Sequence, residues 1–228
     1  MQPTVFLFDI DGTLLTSGGA GRRAVQLALA DVTGHADACR DVPMAGMTDR
    51  AIVRACLQRT GIEASPDRID AVLARYLDLL PAEVARVAAG NYRLHPGVLE
   101  ALDRLHRRGA CAIGLGTGNV ERGARIKLGR LGIDNRFAFG GFGCDHEDRA
   151  ALVAVGAERG AKLLGLAVAE CRVVVIGDTP RDVAAAKAMG AACLAVATGP
   201  FDVATLVASG ATLAVADLLA PAAVDWLS

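Results

Sequence analysis

What most constrains this chain is a recurring unit. A short run of β-branched and other apolar residues ends in a turn rich in Gly, Asp or Thr, with a helical pattern beside it. Residues 4–8 end at Asp9-Ile10-Asp11-Gly12, and residues 111–115 at Gly116-Thr117-Gly118-Asn119. Residues 172–176 end at Gly177-Asp178-Thr179-Pro180, and residues 192–196 run into Thr198-Gly199-Pro200. Runs of this length without polar alternation read as strands buried on both faces. The stretches between them carry helical spacing: Val98, Leu99, Leu102 and Leu105 on one helix, which Gly109 stops, then Ile126, Leu128 and Leu131, then an Ala-rich stretch that stops at Gly190. Strands alternating with helices predict a parallel α/β sheet.

Residues 18–89 break this rhythm. They hold no clear strand run and read as helices over 22–32, 49–59 (with Thr48 as N-cap), 67–80 (with Pro66 in its first turn) and 82–88. One strand, then some 70 helical residues, then the remaining α/β units is the pattern of an insertion. The expected organisation is an α/β core, 1–17 and 90–228, with an all-α domain at 18–89. The chain has 44 alanines against 4% aromatics in 228 residues, so small side chains must fill much of the core and let helices approach the sheet closely.

Charge excludes some partners. Lys+Arg is 24 and Asp+Glu is 25, without the basic stripe a nucleic-acid binder shows. The charge-free stretches 188–201 and 203–216 are 14 residues each, too short for a membrane span. The N-terminal residues lack the basic start of a secretory signal. The six cysteines contain no C-x-x-C and read as reduced thiols, so a cytoplasmic protein is expected.

In an open parallel sheet, ligands bind beyond the carboxyl ends of the strands. Asp9, Asp11, Asp178 and Asp182 fall at two such ends. Carboxylates gathered there repel: two charges about 4 Å apart at an effective dielectric near 20 cost on the order of 4 kcal/mol. A divalent cation removes that cost, and Mg²⁺ suits a few carboxylates plus water and phosphate oxygens. The D-x-D spacing allows one carboxylate to act as nucleophile and the other as general acid/base. On its own, D-x-D-G is also an ordinary acidic turn. Thr117, Gly118 and Asn119, just before a helix, form either an anion cradle or a simple cap.

Taken together, these residues resemble the haloacid dehalogenase-like superfamily. Asp9-Ile10-Asp11-Gly12-Thr13 matches its D-x-D-G-T motif, Thr117 its second-motif hydroxyl, and Gly177-Asp178-Thr179-Pro180-Arg181-Asp182 its G-D-x-x-x-D motif. The family's third-motif lysine, often followed by proline, has no such match; Arg149 stands near its place, with Lys162 as the alternative. The resemblance implies a Rossmann-like core carrying a C1-type cap at 18–89. It implies Asp9 as the nucleophile that becomes an aspartyl-phosphate, and Asp11 as general acid and then base. Mg²⁺ would be held by Asp9, the Asp11 main-chain carbonyl and Asp178. Thr117, Gly118, Asn119 and Arg149 would bind phosphoryl oxygens, with Asp182 supporting from behind.

Asp11 argues against the dehalogenase branch, and the absence of lysine from 18–89 against the branch that forms a Schiff base from its cap. The impression is of the phosphoglycolate phosphatase-like group, acting on a small phosphorylated metabolite; Arg22, Arg23 and Arg50 are cap-side candidates for a substrate carboxylate. His95, before Pro96, reads as structural. A phosphosugar mutase of the β-phosphoglucomutase kind and a non-catalytic phosphate binder are the alternatives.

Overall fold

The computed structural model describes residues 2–227. Six parallel strands form one sheet in the order β5-β4-β1-β6-β7-β8: β1 Thr4–Phe8, β4 Cys111–Thr117, β5 Gly140–Phe142, β6 Arg172–Gly177, β7 Ala192–Val196 and β8 Leu213–Val215. The first strand in the chain is central. Phe8 lies opposite both Leu115 of β4 and Ile176 of β6, so the residues that follow these strands emerge at one edge.

Alternate residues of the central strands face two cores. Phe6, Phe8, Leu115, Val174 and Ile176 pack with Leu102 and Leu105 of α4 (Val98–Arg108) and Leu128 of α5 (Glu121–Gly129). Val5, Leu7 and Val175 pack with Leu152, Val153 and Ala157 of α6 (Arg149–Leu163) and with Val183 and Ala186 of α7 (Pro180–Ala188). The scarcity of aromatics has the expected result on the α6 side. A Cβ on Gly141 would lie 1.8 Å from the Leu152 carbonyl oxygen, and one on Gly156 2.9 Å from the Gly141 nitrogen, so helix and strand touch backbone to backbone. Helices α8 (Val203–Ala208) and α9 (Pro221–Trp226) complete the C-terminal end.

The chain leaves the sheet through β2 (Leu15–Thr16) and returns through β3 (Arg93–Leu94), which pair antiparallel with Thr16 opposite Arg93. Between them run three helices: α1 Ala20–Thr33, α2 Asp49–Arg59 and α3 Pro66–Arg86. Thr48 caps α2 as expected, its side chain accepting from the Ala51 N–H. The expected break at Pro81 does not occur, because α3 runs through it. Its buried residues Leu73, Tyr76, Leu80 and Val84 keep helical spacing on both sides of the proline, and that packing outweighs the loss of one N–H. Leu99, expected on the buried face of α4, is instead 45% exposed; Ala101 takes the inward place. Strands β5 and β8 were not foreseen: three residues each, they are too short for a pattern.

Candidate active site

Asp9 follows β1 directly, and its N–H continues the ladder to the Ile176 carbonyl at 2.9 Å. The chain then turns sharply. The Leu14 and Leu15 amides both donate to the Ile10 carbonyl, and Gly12 takes φ 86°, a left-handed value that favours glycine. A side chain there is also excluded by space, since a Cβ would lie 2.3 Å from Asp178 Oδ2. Gly199 approaches as well, its Cβ position 1.7 Å from the same oxygen. Two bare backbones thus wall the Asp178 carboxylate, and the Thr13 hydroxyl donates to its Oδ1 at 2.9 Å.

Asp9, Asp178 and Asp182 are all buried, and one carboxylate oxygen from each lies within 4.8 Å of the others. Burial, opposed by Arg149, raises Asp9 to about 6. Burial, then the charges of Asp182 and Asp9, raises Asp178 to about 8. Such carboxylates, short of positive charge and offering hard oxygen ligands, fit a divalent cation. Asp182 is already committed. Its Oδ2 accepts from the Thr179 N–H and hydroxyl, closing a capping box on α7, and its Oδ1 accepts from Arg149 Nε and Nη2.

Arg149 is the first residue of α6 and only 8% exposed. Its Nη2 lies 2.9 Å from Asp9 Oδ2 and 2.5 Å from Asp182 Oδ1. Lys162, the alternative for the third-motif cation, sits exposed in the last turn of the same helix. Thr117, fully buried at the end of β4, shares a hydrogen bond with Asp9 that works against the rise in that group's pKa. Its oxygen also accepts from Asn119, both from the backbone N–H at 3.3 Å and from Nδ2 at 2.9 Å. The amides ahead of α5 are not a bare cradle: the Val120 N–H donates to Asp49 Oδ2 at 2.9 Å. Gly118 lets the helical layer come close, since a Cβ there would lie 2.3 Å from the Met47 carbonyl oxygen, and its own carbonyl accepts from the Asp49 N–H.

Asp11 is half-exposed and gripped on three sides. Ser17 donates to Oδ1 at 3.0 Å, and Asn119 Nδ2 and Lys127 Nζ donate to Oδ2 at 3.0 and 2.5 Å. Although burial pulls the other way, Lys127 and these hydrogen bonds hold Asp11 below the usual carboxylate range. Lys127 is 4% exposed, also donates to Asn119 Oδ1, and has its pKa raised by Asp11 and Asp49 against the cost of burial. Sequence reasoning missed it. It lies in the last turn of α5, where a lysine is ordinary, and its one signal was being one of three lysines in the chain. An ammonium so stabilised is a poor Schiff-base nucleophile, which needs its pKa lowered.

The cavity above these groups has a volume of about 300 Å³. Its sheet side is Asp9, Asp11, Asn119, Lys127, Arg149 and Asp178; its helical side is mostly apolar, with Val25, Met44, Met47, Ile52, Leu73 and Tyr76. Asp49 also lines it, raised to about 6 mainly by burial. Of the candidate arginines, Arg22 lines the cavity but donates to the Cys39 and Val42 carbonyls. Arg23 donates to Glu83 and the Gly18 carbonyl, and Arg50 pairs with Asp70 away from the cavity. His95 has a buried Nε2 with no hydrogen-bond partner among the described residues, and burial, then the charge of Arg93, lowers its pKa.

A family model described as haloacid dehalogenase-like hydrolase matches residues 3–190. The chain belongs to that family. A phosphoglycolate phosphatase of Xanthomonas campestris pv. campestris is 28% identical over 201 residues, covering 86% of this chain and 84% of that protein. Among solved structures, a hydrolase from Pseudomonas syringae superposes with a TM-score of 0.70 at 23% identity, over 96% of this chain and 97% of that one. CbbY from Rhodobacter sphaeroides, solved in complex with phosphate, gives 0.70 at 16% identity, over 99% and 100%. The parallel α/β fold is therefore the family's, and the chain is a hydrolase of it. Among the described residues no helix is long and apolar enough to cross a membrane.

Proposed function

We propose that the protein is a Mg²⁺-dependent phosphatase of a small phosphomonoester, working through an aspartyl-phosphate on Asp9. The observation that carries this reading is the buried Asp9–Arg149–Asp182 arrangement beside Asp178, with Asp11 held separately by Lys127 and Asn119. Two carboxyl groups in such different surroundings suit two different tasks.

Asp9, Asp178 and the Asp11 main-chain carbonyl would hold the magnesium ion, which when bound supplies positive charge against the phosphoryl oxygens. Arg149 orients Asp9 and offers its guanidinium to the phosphoryl group; Thr117 does the same with its hydroxyl. An Asp9 oxygen attacks phosphorus, and the bond to the leaving oxygen breaks. Asp11, protonated, gives that oxygen its proton. As a carboxylate, Asp11 then takes a proton from water while the water oxygen attacks phosphorus and frees Asp9. Lys127 favours the ionised form of Asp11 and so the second half of the cycle. Residues 18–89 act as the cap that covers the reacting groups.

For the substrate, the similarity to a phosphoglycolate phosphatase supports a short, phosphoglycolate-like molecule. The cavity volume is consistent with a compact leaving group. Beyond Arg149, the cations facing it are Arg22 and Lys127, with Asp49 opposing a substrate carboxylate.

The test is phosphate release from 2-phosphoglycolate and a panel of other phosphomonoesters, with Mg²⁺ and with EDTA. Asp9→Asn is expected to abolish release while keeping the wild-type circular dichroism and Tm. Turnover by that variant, or undiminished turnover in EDTA, overturns the reading. Conversion of a hexose 1-phosphate to its isomer without free phosphate would replace it with the mutase.

A further inference from the structure

We propose that Cys39 and Cys56 are a paired-thiol modification site in the helical layer, closing to a reversible disulfide under a peroxide-class oxidant. Their Sγ atoms lie 3.1 Å apart, although the residues are seventeen positions apart in sequence. A disulfide needs about 2.05 Å, so closure asks for roughly 1 Å of approach. Both side chains are fully buried, so their contact is part of the packed interior. Cys56 lies on the inner face of α2 beside Ile52, Val53 and Leu57. Cys39 sits in the irregular run between α1 and α2.

The surroundings suit thiol chemistry. Arg22 donates to the Cys39 and Val42 carbonyls, and Arg59 donates to the Asp37 carbonyl, placing two guanidinium groups around the pair. The hydrogen bond shared with Cys39, then burial acting against it and the two arginines acting with it, leaves the Cys56 thiol below its ordinary pKa. The same contact and burial push the Cys39 thiol up. Cys56 is therefore the nucleophile and Cys39 the resolving thiol. The Cys56 thiolate attacks one peroxide oxygen; the O–O bond breaks, giving a Cys56 sulfenic acid and hydroxide, which takes up the proton Cys56 had lost. Cys39 sulfur then attacks the Cys56 sulfur, the S–O bond breaks, and the departing hydroxide leaves as water with the Cys39 proton. Two thiols and one hydrogen peroxide become one disulfide and two waters.

The site has a structural target. Eight residues on from Cys39, Met47 walls the cavity, and Gly46 on the way accepts a hydrogen bond from Arg149. A Cys39–Cys56 bond ties the start of that run to α2 and leaves the catalytic side chains untouched, so the inference stands apart from the phosphatase reading.

The experiment uses the full-length reduced protein. It is oxidised with hydrogen peroxide in the native state, denatured, alkylated and mapped by peptide mass. The expected result is a Cys39–Cys56 cross-linked peptide that dithiothreitol removes, with a rise in Tm of roughly 5 °C or more. Cys39→Ala and Cys56→Ala each lose both the cross-link and the peroxide-induced rise. Exposed Cys144 is the internal control for oxidant delivery. Separate alkylation of Cys39 and Cys56 in a sample whose Cys144 is oxidised overturns the proposal. So does a cross-link that leaves the Tm where it was.

Discussion

At the residue scale, the acidic cluster makes a prediction with a definite sign. Without a cation, Asp178 is held at about 8 and Asp9 at about 6, so protons and metal compete for the same oxygens. Apparent Mg²⁺ affinity should therefore climb between pH 6 and pH 8.5, as measured by titration calorimetry. The same raised values mean that the metal-free native state binds more protons than the unfolded chain does. Its stability should fall as pH rises from the unfolded value of 3.8 to about 6 for Asp9 and about 8 for Asp178, and saturating Mg²⁺ should offset the fall. A flat affinity across the range would detach these carboxylates from metal binding. Lys127 makes a second prediction. Lys127→Met removes the ammonium that holds Asp11 ionised, so dephosphorylation should slow by about 10- to 100-fold. More phosphoenzyme should then be trapped by acid quench of a labelled substrate. An unchanged kcat would leave Lys127 as a packing residue.

At the element scale, the close contact of α6 with β5 is the most sensitive seam. Gly141→Ala forces a methyl against the Leu152 carbonyl and should destabilise the fold by about 3 kcal/mol, the upper part of the range for overpacking. Chemical denaturation measures this, and a neutral result would mean α6 is free to shift. Elements also show where sequence reading works. Residues 4–8 and 192–196 were read at their observed bounds, and 111–115 and 172–176 were one or two residues short, because their apolar runs are long enough to carry a pattern and end at turn residues. β5 and β8 lack that length. Pro81 misled because a local rule lost to a continuous buried face. In the site, Asp9, Asp11, Thr117 and Asp178 were legible as motif residues at strand ends. Lys127 and Asp49 were not: their proximity to Asp11 and Val120 depends on how α2 and α5 pack, which no local spacing encodes.

At the scale of the whole molecule, the helical layer and the sheet layer share one hydrophobic core and are also joined by hydrogen bonds around the cavity. Asp49 exchanges hydrogen bonds with the Gly118 carbonyl and the Val120 amide, Thr48 donates to the Glu147 carbonyl, and Arg54 forks onto Glu147 at 2.7 and 2.9 Å. Arg54 and Glu147 are both partly exposed, so the pair contributes under about 1 kcal/mol to global stability. Its effect should appear in closure over the cavity. Arg54→Ala is expected to raise KM about three-fold or more, within the energy of such a pair, with Tm nearly unchanged. A lowered Tm with unchanged KM would make the fork a structural brace only.

The central position of β1 bears on biosynthesis. A ribosome emits residues 4–8 well before their two lateral partners, 111–115 and 172–176. At translation speeds of about 5–20 residues per second, this segment stays without its second neighbour for on the order of ten seconds. A nascent polypeptide stalled before residue 172 would display a naked sheet edge, a natural client for holdase chaperones.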